Sequence, residues 1–184
     1  NRGNIGGQNA CFEAAQGEWV LFVSNDVKYF APEALTTLWR WKFQGQLMPM
    51  ILNPGDWSVQ SAGGNYVWPG YGLNRKHHTR TSRVDYCPSI TYLMPKALWR
   101  HVGGFDESLP GAYEDVDFGR QVECRCTDEA KVLHEGNATL HYRAEDAWRF
   151  RVARRRIIEK YYTGFNRWSR LQAETWLDCW WPRL

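Results

Sequence analysis

The sequence has no run of about 18 apolar residues, the length a helix needs to cross a bilayer, and no succession of basic, apolar and small residues that would mark a secretory leader. It has no cysteine framework either. Cys11, Cys87, Cys124, Cys126 and Cys179 are odd in number and irregular in spacing, and Cys124-Arg125-Cys126 lacks the second ligand pair of a structural zinc site. Reduced, mostly structural thiols and a cytoplasmic setting are therefore expected. A strong charge excess is also missing: 23 Lys and Arg against 20 Asp and Glu leave a net charge of +3, which by itself argues for no particular partner. There is no initiating methionine. Asn1-Arg2-Gly3 reads as the middle of a functional loop, so an N-terminal segment is expected to precede it.

What is present fits a globular domain. The chain has 184 residues, 43% hydrophobic and 23% charged, enough to bury a core. Eleven Trp and nine Tyr are many for this length. Such side chains line sugar-binding surfaces and also simply fill cores.

The apolar patterning alternates between strand and helix. A glycine-rich loop over 1–7 precedes a helix over 8–16, and Gly17 sits at a C-cap position. Trp19-Val20-Leu21-Phe22-Val23 is an unbroken apolar run, which predicts a strand buried on both faces of a parallel sheet. It ends in Ser24-Asn25-Asp26-Val27. An acid just past the carboxyl end of such a strand lies where open α/β sheets bind ligands, although a loop aspartate capping a turn reads the same way. Pro32 opens a helix over 32–44 that offers Leu35, Leu38, Trp39 and Trp41 for burial. A strand follows over 47–52, then irregular chain over 57–82, strand character over 84–94 and a short helix over 95–101. Two short strands are expected at 130–134 and 138–142, the second carrying His141. From residue 146 the pattern is helical, with Arg149, Arg151, Arg154, Arg155 and Arg156 interleaved with apolar residues and a Trp-rich end. That tail suits an anionic membrane surface, nucleic acid, or a solvated face of a packed helix. The weak net charge disfavours nucleic acid. Residues 1–145 thus read as one domain and 146–184 as a basic, Trp-rich tail.

The densest stretch is His101-Val102-Gly103-Gly104-Phe105-Asp106-Glu107, running on to Tyr113-Glu114-Asp115-Val116-Asp117. Three carboxylates crowd a helix start, where the dipole offsets part of their repulsion. On a helix running to about Arg125, Asp115 shares a face with Phe118, Gly119 and Val122, while Glu114, Asp117 and Gln121 form a separate polar face. Asp115 is then the acid that looks inward or into a cleft, as a general base would. An ordinary acidic first turn is the alternative.

In this order, four segments resemble the family-2 glycosyltransferases of GT-A fold, in the bacterial branch that includes rhamnosyl- and galactofuranosyl-type transferases. They are Asn1 to Asn9, leading through Ala15-Gln16-Gly17-Glu18; Ser24-Asn25-Asp26-Val27, at the D-x-D position; Gly103 to Glu107 with Glu114 to Asp117; and His141. The resemblance implies a Rossmann-like, mostly parallel sheet flanked by helices, with a helical tail. It implies an inverting transfer from a nucleotide-sugar donor to a saccharide or lipid-linked acceptor, with a divalent cation, Mn²⁺ or Mg²⁺. By the same resemblance Asp26 and His141 bind the metal, Asp115 is the base with Glu114 beside it, Asn9 lies near the donor nucleotide, and Gly103 and Gly104 shape the pocket. Ser24 stands where the family has its first D-x-D acid. With the expected missing segment, that departure leaves a second reading open: a non-catalytic, transferase-like module that binds a partner or a membrane surface.

Overall fold

The computed structural model describes residues 3–77, 80–136 and 147–180. The strand expected over 138–142, His141, His78 and the boundary placed between 145 and 146 lie outside the described residues.

A mixed sheet in the order β1-β8-β3-β9-β2 forms the centre. Its strands are β1 (Trp19–Val23), β2 (Val27–Phe30), β3 (Gln46–Leu52), β8 (Thr91–Pro95) and β9 (Cys124–His134). Two short strands extend it: β4 (Val59–Ser61) pairs with β3, and β7 (Ser82–Val84) pairs with β9. The helices flanking the sheet and closing the chain bear out the α/β expectation, but the strand directions differ from it. Among the described strands of this sheet only β3 and β9 run parallel; the other pairs are antiparallel. Accordingly β1 is half-buried and Val23 is exposed, while β3 and β8 are buried along their whole length. An apolar run fixes that a strand is buried, not the direction of its neighbour.

Alternation along the central strands sorts the core into two layers. Leu47 and Leu93 face Ala34 and Leu38 of α2 (Pro32–Trp41). Met48, Tyr92 and Met94 face the other side. There they join Phe12 of α1 (Gly3–Ala14), Phe105, Phe118 of α4 (Glu114–Gly119) and Ala153 of α5 (Ala147–Tyr161). The tail helix α5 thus reaches the main core, and α6 (Gly164–Trp180) lies against it. Helix α2 begins at Pro32 as expected. It buries Ala34 and Leu38, however, and leaves Leu35, Trp39 and Trp41 exposed.

Several other expectations change. The anticipated glycine loop is the first part of α1, because Ile5 and Phe12 bury and Asn4 and Gln8 find distant partners. Those contacts outweigh a glycine penalty of roughly 1 kcal/mol per residue. Helix α4 stops at Gly119, and Cys124-Arg125-Cys126 lies on β9 with both thiols buried. The irregular stretch contains β4 and a hairpin of β5 (Gly64–Val67) and β6 (Tyr71–Asn74). Gly45 is required by close approach: a Cβ there would lie 2.4 Å from the Glu123 carbonyl oxygen. The short helix α3 (Lys96–Val102) ends in the left-handed Gly103 and Gly104, at φ 89° and 81°.

Candidate functional site

A cleft of about 990 Å³ opens where β1 ends. Asn4 at the start of α1, Ser24 and Asp26, Ser89, Glu107 and His134 all border it, and Trp148 and Arg149 of α5 close one side. The chain turns sharply after β1 because Val27 N–H donates to the Ser24 carbonyl at 3.2 Å. That turn brings the Ser24 hydroxyl onto Asp26 Oδ1, so Ser24 supplies a hydrogen-bond donor where a second acid was sought. His134, at the end of β9 and 8% exposed, places Nε2 3.1 Å from the same oxygen. Burial raises the Asp26 pKa, but the Ser24 hydrogen bond and the His134 charge and hydrogen bond outweigh it. The carboxyl is held below its usual range.

The acid pair of α4 enters from another wall. Tyr113, at φ 68°, turns the chain into the helix. Glu114 is 4% exposed; its Oε1 accepts from Asn4 Nδ2 at 2.9 Å and Gln8 Nε2 at 3.2 Å. Burial raises its pKa, and the hydrogen bonds from Gln8 and Asn4 to the carboxylate oppose that rise. Asp115 keeps part of its surface exposed. Its Oδ1 accepts from Val116 N–H at 2.8 Å, and the nearby Ser89 backbone N–H acts to lower its pKa. Burial first, then the Glu114 charge, pushes Asp115 up to about 7. Asp26 thus borders the cleft directly, while Asp115 meets it through Ser89.

Two of the three residues of the expected polar face, Glu114 and Asp117, are buried, and Gln121 is exposed. Asp117 is 2% exposed and accepts from Lys160 Nζ at 2.8 Å and Tyr161 Oη at 3.0 Å, both on α5. Phe118 and Gly119 bury as the spacing expected, but Val122 lies beyond the end of α4, and Glu114 and Asp117 are buried more deeply than Asp115. Spacing on one helix carried no information about polar partners arriving from α1 and α5, far away in sequence.

Asn9, Gly103 and Gly104 line a second cleft, of about 510 Å³, with Glu107 bordering both. Asn9 Nδ2 donates to the Phe105 carbonyl and to Glu107 Oε1, each at 2.9 Å, and Asn9 Oδ1 accepts from Phe105 N–H at 2.9 Å. These bonds hold the glycine turn in shape. His134, Ser89 and Gln60 escaped the sequence reading. His134 carried one usable signal: it lies two residues from Val132, on the face that extends the buried side of β9.

Among the described residues no three His, Cys, Asp or Glu side chains converge as a metal cluster. Asp26 and His134 form a pair, and a carboxylate with an imidazole is a donor set that fits Mn²⁺ better than Mg²⁺.

No family profile matches the sequence, and no curated protein matches it. Among solved structures, the chain is similar to GalNAc-T7 in its crystal structure with UDP, GalNAc and Mn²⁺, at a TM-score of 0.53 and 13% identity. The match covers 72% of this chain and 30% of that one, so the chain spans under a third of that protein's length. At this identity the likeness is one of fold, and the fold is that of the GT-A glycosyltransferases.

Proposed function

We propose that the protein transfers a sugar from a nucleoside-diphosphate donor to a saccharide or lipid-linked acceptor hydroxyl, with inversion. One observation carries the reading: Ser89 borders the Asp26 cleft, and its backbone N–H acts on the neighbouring Asp115 carboxyl, which burial and the Glu114 charge push up to about 7. A group poised near neutral pH beside an anion-accepting site is what deprotonation of an attacking hydroxyl needs. The fold shared with a protein solved with UDP, GalNAc and Mn²⁺ supports the donor class.

In this reading a divalent cation held at Asp26 would neutralise charge on the departing diphosphate. Asp26 positions the leaving group and stays ionised through its Ser24 and His134 contacts. Asp115 takes the acceptor proton, and Glu114 sets its basicity. Trp148 and Arg149, on the cleft wall, restrict water access and face the diphosphate end. Donor turnover with Mn²⁺, followed over a panel of nucleotide-sugars, tests the reading. Turnover that disappears in Asp115→Asn supports it, and no turnover or binding of any donor sinks it.

The alternative of a non-catalytic binding module is favoured by Ser24, which leaves one carboxylate in the D-x-D-like turn. It predicts donor binding without turnover. The rhamnosyl- or galactofuranosyl-type likeness belongs to the same proposal. So does attachment to the inner face of a membrane, where α6 and the exposed arginines of α5 would make contact. No described helix is long and apolar enough to cross a membrane.

A further inference from the structure

We propose that a separate cleft at the carboxyl end of α4 binds an oxyanion, a carboxylate or phosphate carried by the saccharide acceptor, and that Arg120 and Arg75 hold it. The cleft measures about 640 Å³ and shares no lining residue with the cleft at Asp26. Three arginines line it: Arg75 just after β6, Arg83 on β7 and Arg120 just past α4. Asp85 and Glu123 line it too, but both are engaged. Asp85 Oδ2 accepts the Tyr66 backbone N–H at 2.7 Å. Glu123 Oε1 is held at 2.8 Å by Arg125, which lies outside the cleft, and Arg83 stands 3.7 Å from the same oxygen. Among the described residues no carboxylate lies within ion-pair distance of Arg75 or Arg120.

Arg120 is the more demanding case. Its side chain is partly buried, and Nε is buried with no hydrogen-bond partner among the described residues. The guanidinium lies 4.0 Å from the Tyr66 ring centre and 5.2 Å from that of Tyr161, and Nη2 donates to Tyr162 Oη at 3.1 Å. Aromatic faces offset part of the hydration a guanidinium loses on burial. A counter-charge would offset more, and the described residues supply none. The surroundings are held in place without a ligand. Tyr66 Oη donates to the Asp85 carbonyl at 2.7 Å, and Arg75 Nη1 donates to the Arg83 carbonyl at 3.1 Å. A planar fork of N–H donors matches carboxylate and phosphate oxygens. Tyr66 and Tyr161 add apolar rings with polar tips, which suit a sugar unit beside the anion. Arg120 lies five residues beyond Asp115, roughly 8 Å along the helix, a span that a bound acceptor bridges with its neighbouring units. The acceptor as carrier rests on the transferase reading; the oxyanion site itself does not.

The test follows the Arg120 Nε–H signal in nitrogen-15 spectra of the full chain, assigned by its disappearance in Arg120→Lys. The probes are trigalacturonate, glucose 6-phosphate, inorganic phosphate and neutral maltotriose. The signal should shift with trigalacturonate if the anion is a carboxylate and with glucose 6-phosphate if it is a phosphate. Either should bind more tightly than inorganic phosphate, and maltotriose should leave the signal in place. Arg75→Gln should weaken binding of the acidic sugar about tenfold or more, the loss expected for one charged hydrogen bond. No shift with any probe overturns the proposal. So does inorganic phosphate binding as tightly as the acidic sugars, or binding unchanged in Arg75→Gln. If Arg120→Lys does not fold, titration calorimetry of wild type and Arg75→Gln with the same probes decides. Acidic-sugar binding without donor turnover would leave the site standing while the transferase reading failed, and turnover without such binding would do the reverse.

Discussion

Asn4 donates its side-chain amide to Glu114, 110 residues away in sequence, at 2.9 Å. With Gln8, it gives the buried Glu114 carboxylate two donors from α1. Burial is the larger cause that raises Asp115, and the Glu114 charge adds to it. The first turns of the chain therefore tune the candidate base without touching it.

That coupling has a pH signature. Asp115 acts deprotonated, so activity should rise with pH through about 7 and then level off. Glu114→Gln keeps an oxygen for Asn4 and Gln8 but removes the charge beside Asp115. The rise should then move to lower pH in a log kcat/KM profile. Asp115→Asn should lower the rate by roughly 10²–10⁴ above pH 7 and abolish the rise with pH, so that the difference shrinks toward acid pH.

The same shift bears on stability. A carboxyl raised from 3.8 to about 7 on folding binds more protons folded than unfolded between those values. Its stabilising contribution is full below the unfolded value and is lost as pH rises through the folded one. Asp115→Asn should therefore raise the Tm by a few degrees at pH 8 and change it little at pH 4. Scanning calorimetry at the two pH values checks this.

Arg154 and Glu174 form a buried pair between α5 and α6 at 3.0 Å, with the Glu174 side chain 0% exposed. The guanidinium also bonds Tyr113 and lies 4.5 Å from the Tyr71 ring centre. Arg154→Met strands the Glu174 charge and should cost about 3–5 kcal/mol in urea unfolding. Adding Glu174→Leu should restore most of that loss, because the desolvated charge is then gone.

The two glycines after α3 should not respond alike. Both are left-handed, and a side chain at Gly103 meets nothing within 4 Å. At Gly104 a Cβ would lie 3.0 Å from Asn9 Oδ1 and 3.1 Å from the Trp99 ring. Gly103→Ala should cost about 1–2 kcal/mol from backbone conformation alone. Gly104→Ala should cost more, since the Asn9 bonds to Phe105 must also shift.

Helix α6 exposes Phe165, Trp168 and Trp176, whose spacing puts them on one face, and α5 exposes Arg155 and Arg156. Anionic lipid fits both features. The protein should sediment with vesicles containing phosphatidylglycerol and not with pure phosphatidylcholine. Replacing the three aromatic residues together by Ser should cut that binding at least tenfold, and unchanged sedimentation would remove this face as the contact. Deleting the tail would be a poorer test, because Ala153, Ile157 and Ile158 of α5 are buried.

Sequence by itself determined what depends on neighbours along the chain. The apolar run of β1 ending at Asp26, the proline start of α2, the glycine turn after α3 and the crowding of Glu114, Asp115 and Asp117 are set by local pattern, sterics and charge. Only the tertiary structure decided what depends on residues meeting across the chain. It reversed the expected strand directions, because hydrophobicity marks a strand as buried without saying which way its partner runs. It buried Glu114 and Asp117 on polar partners from α1 and α5. It also brought Gln60 and His134 to Asp26 from separate strands, a convergence that no spacing within a single element encodes.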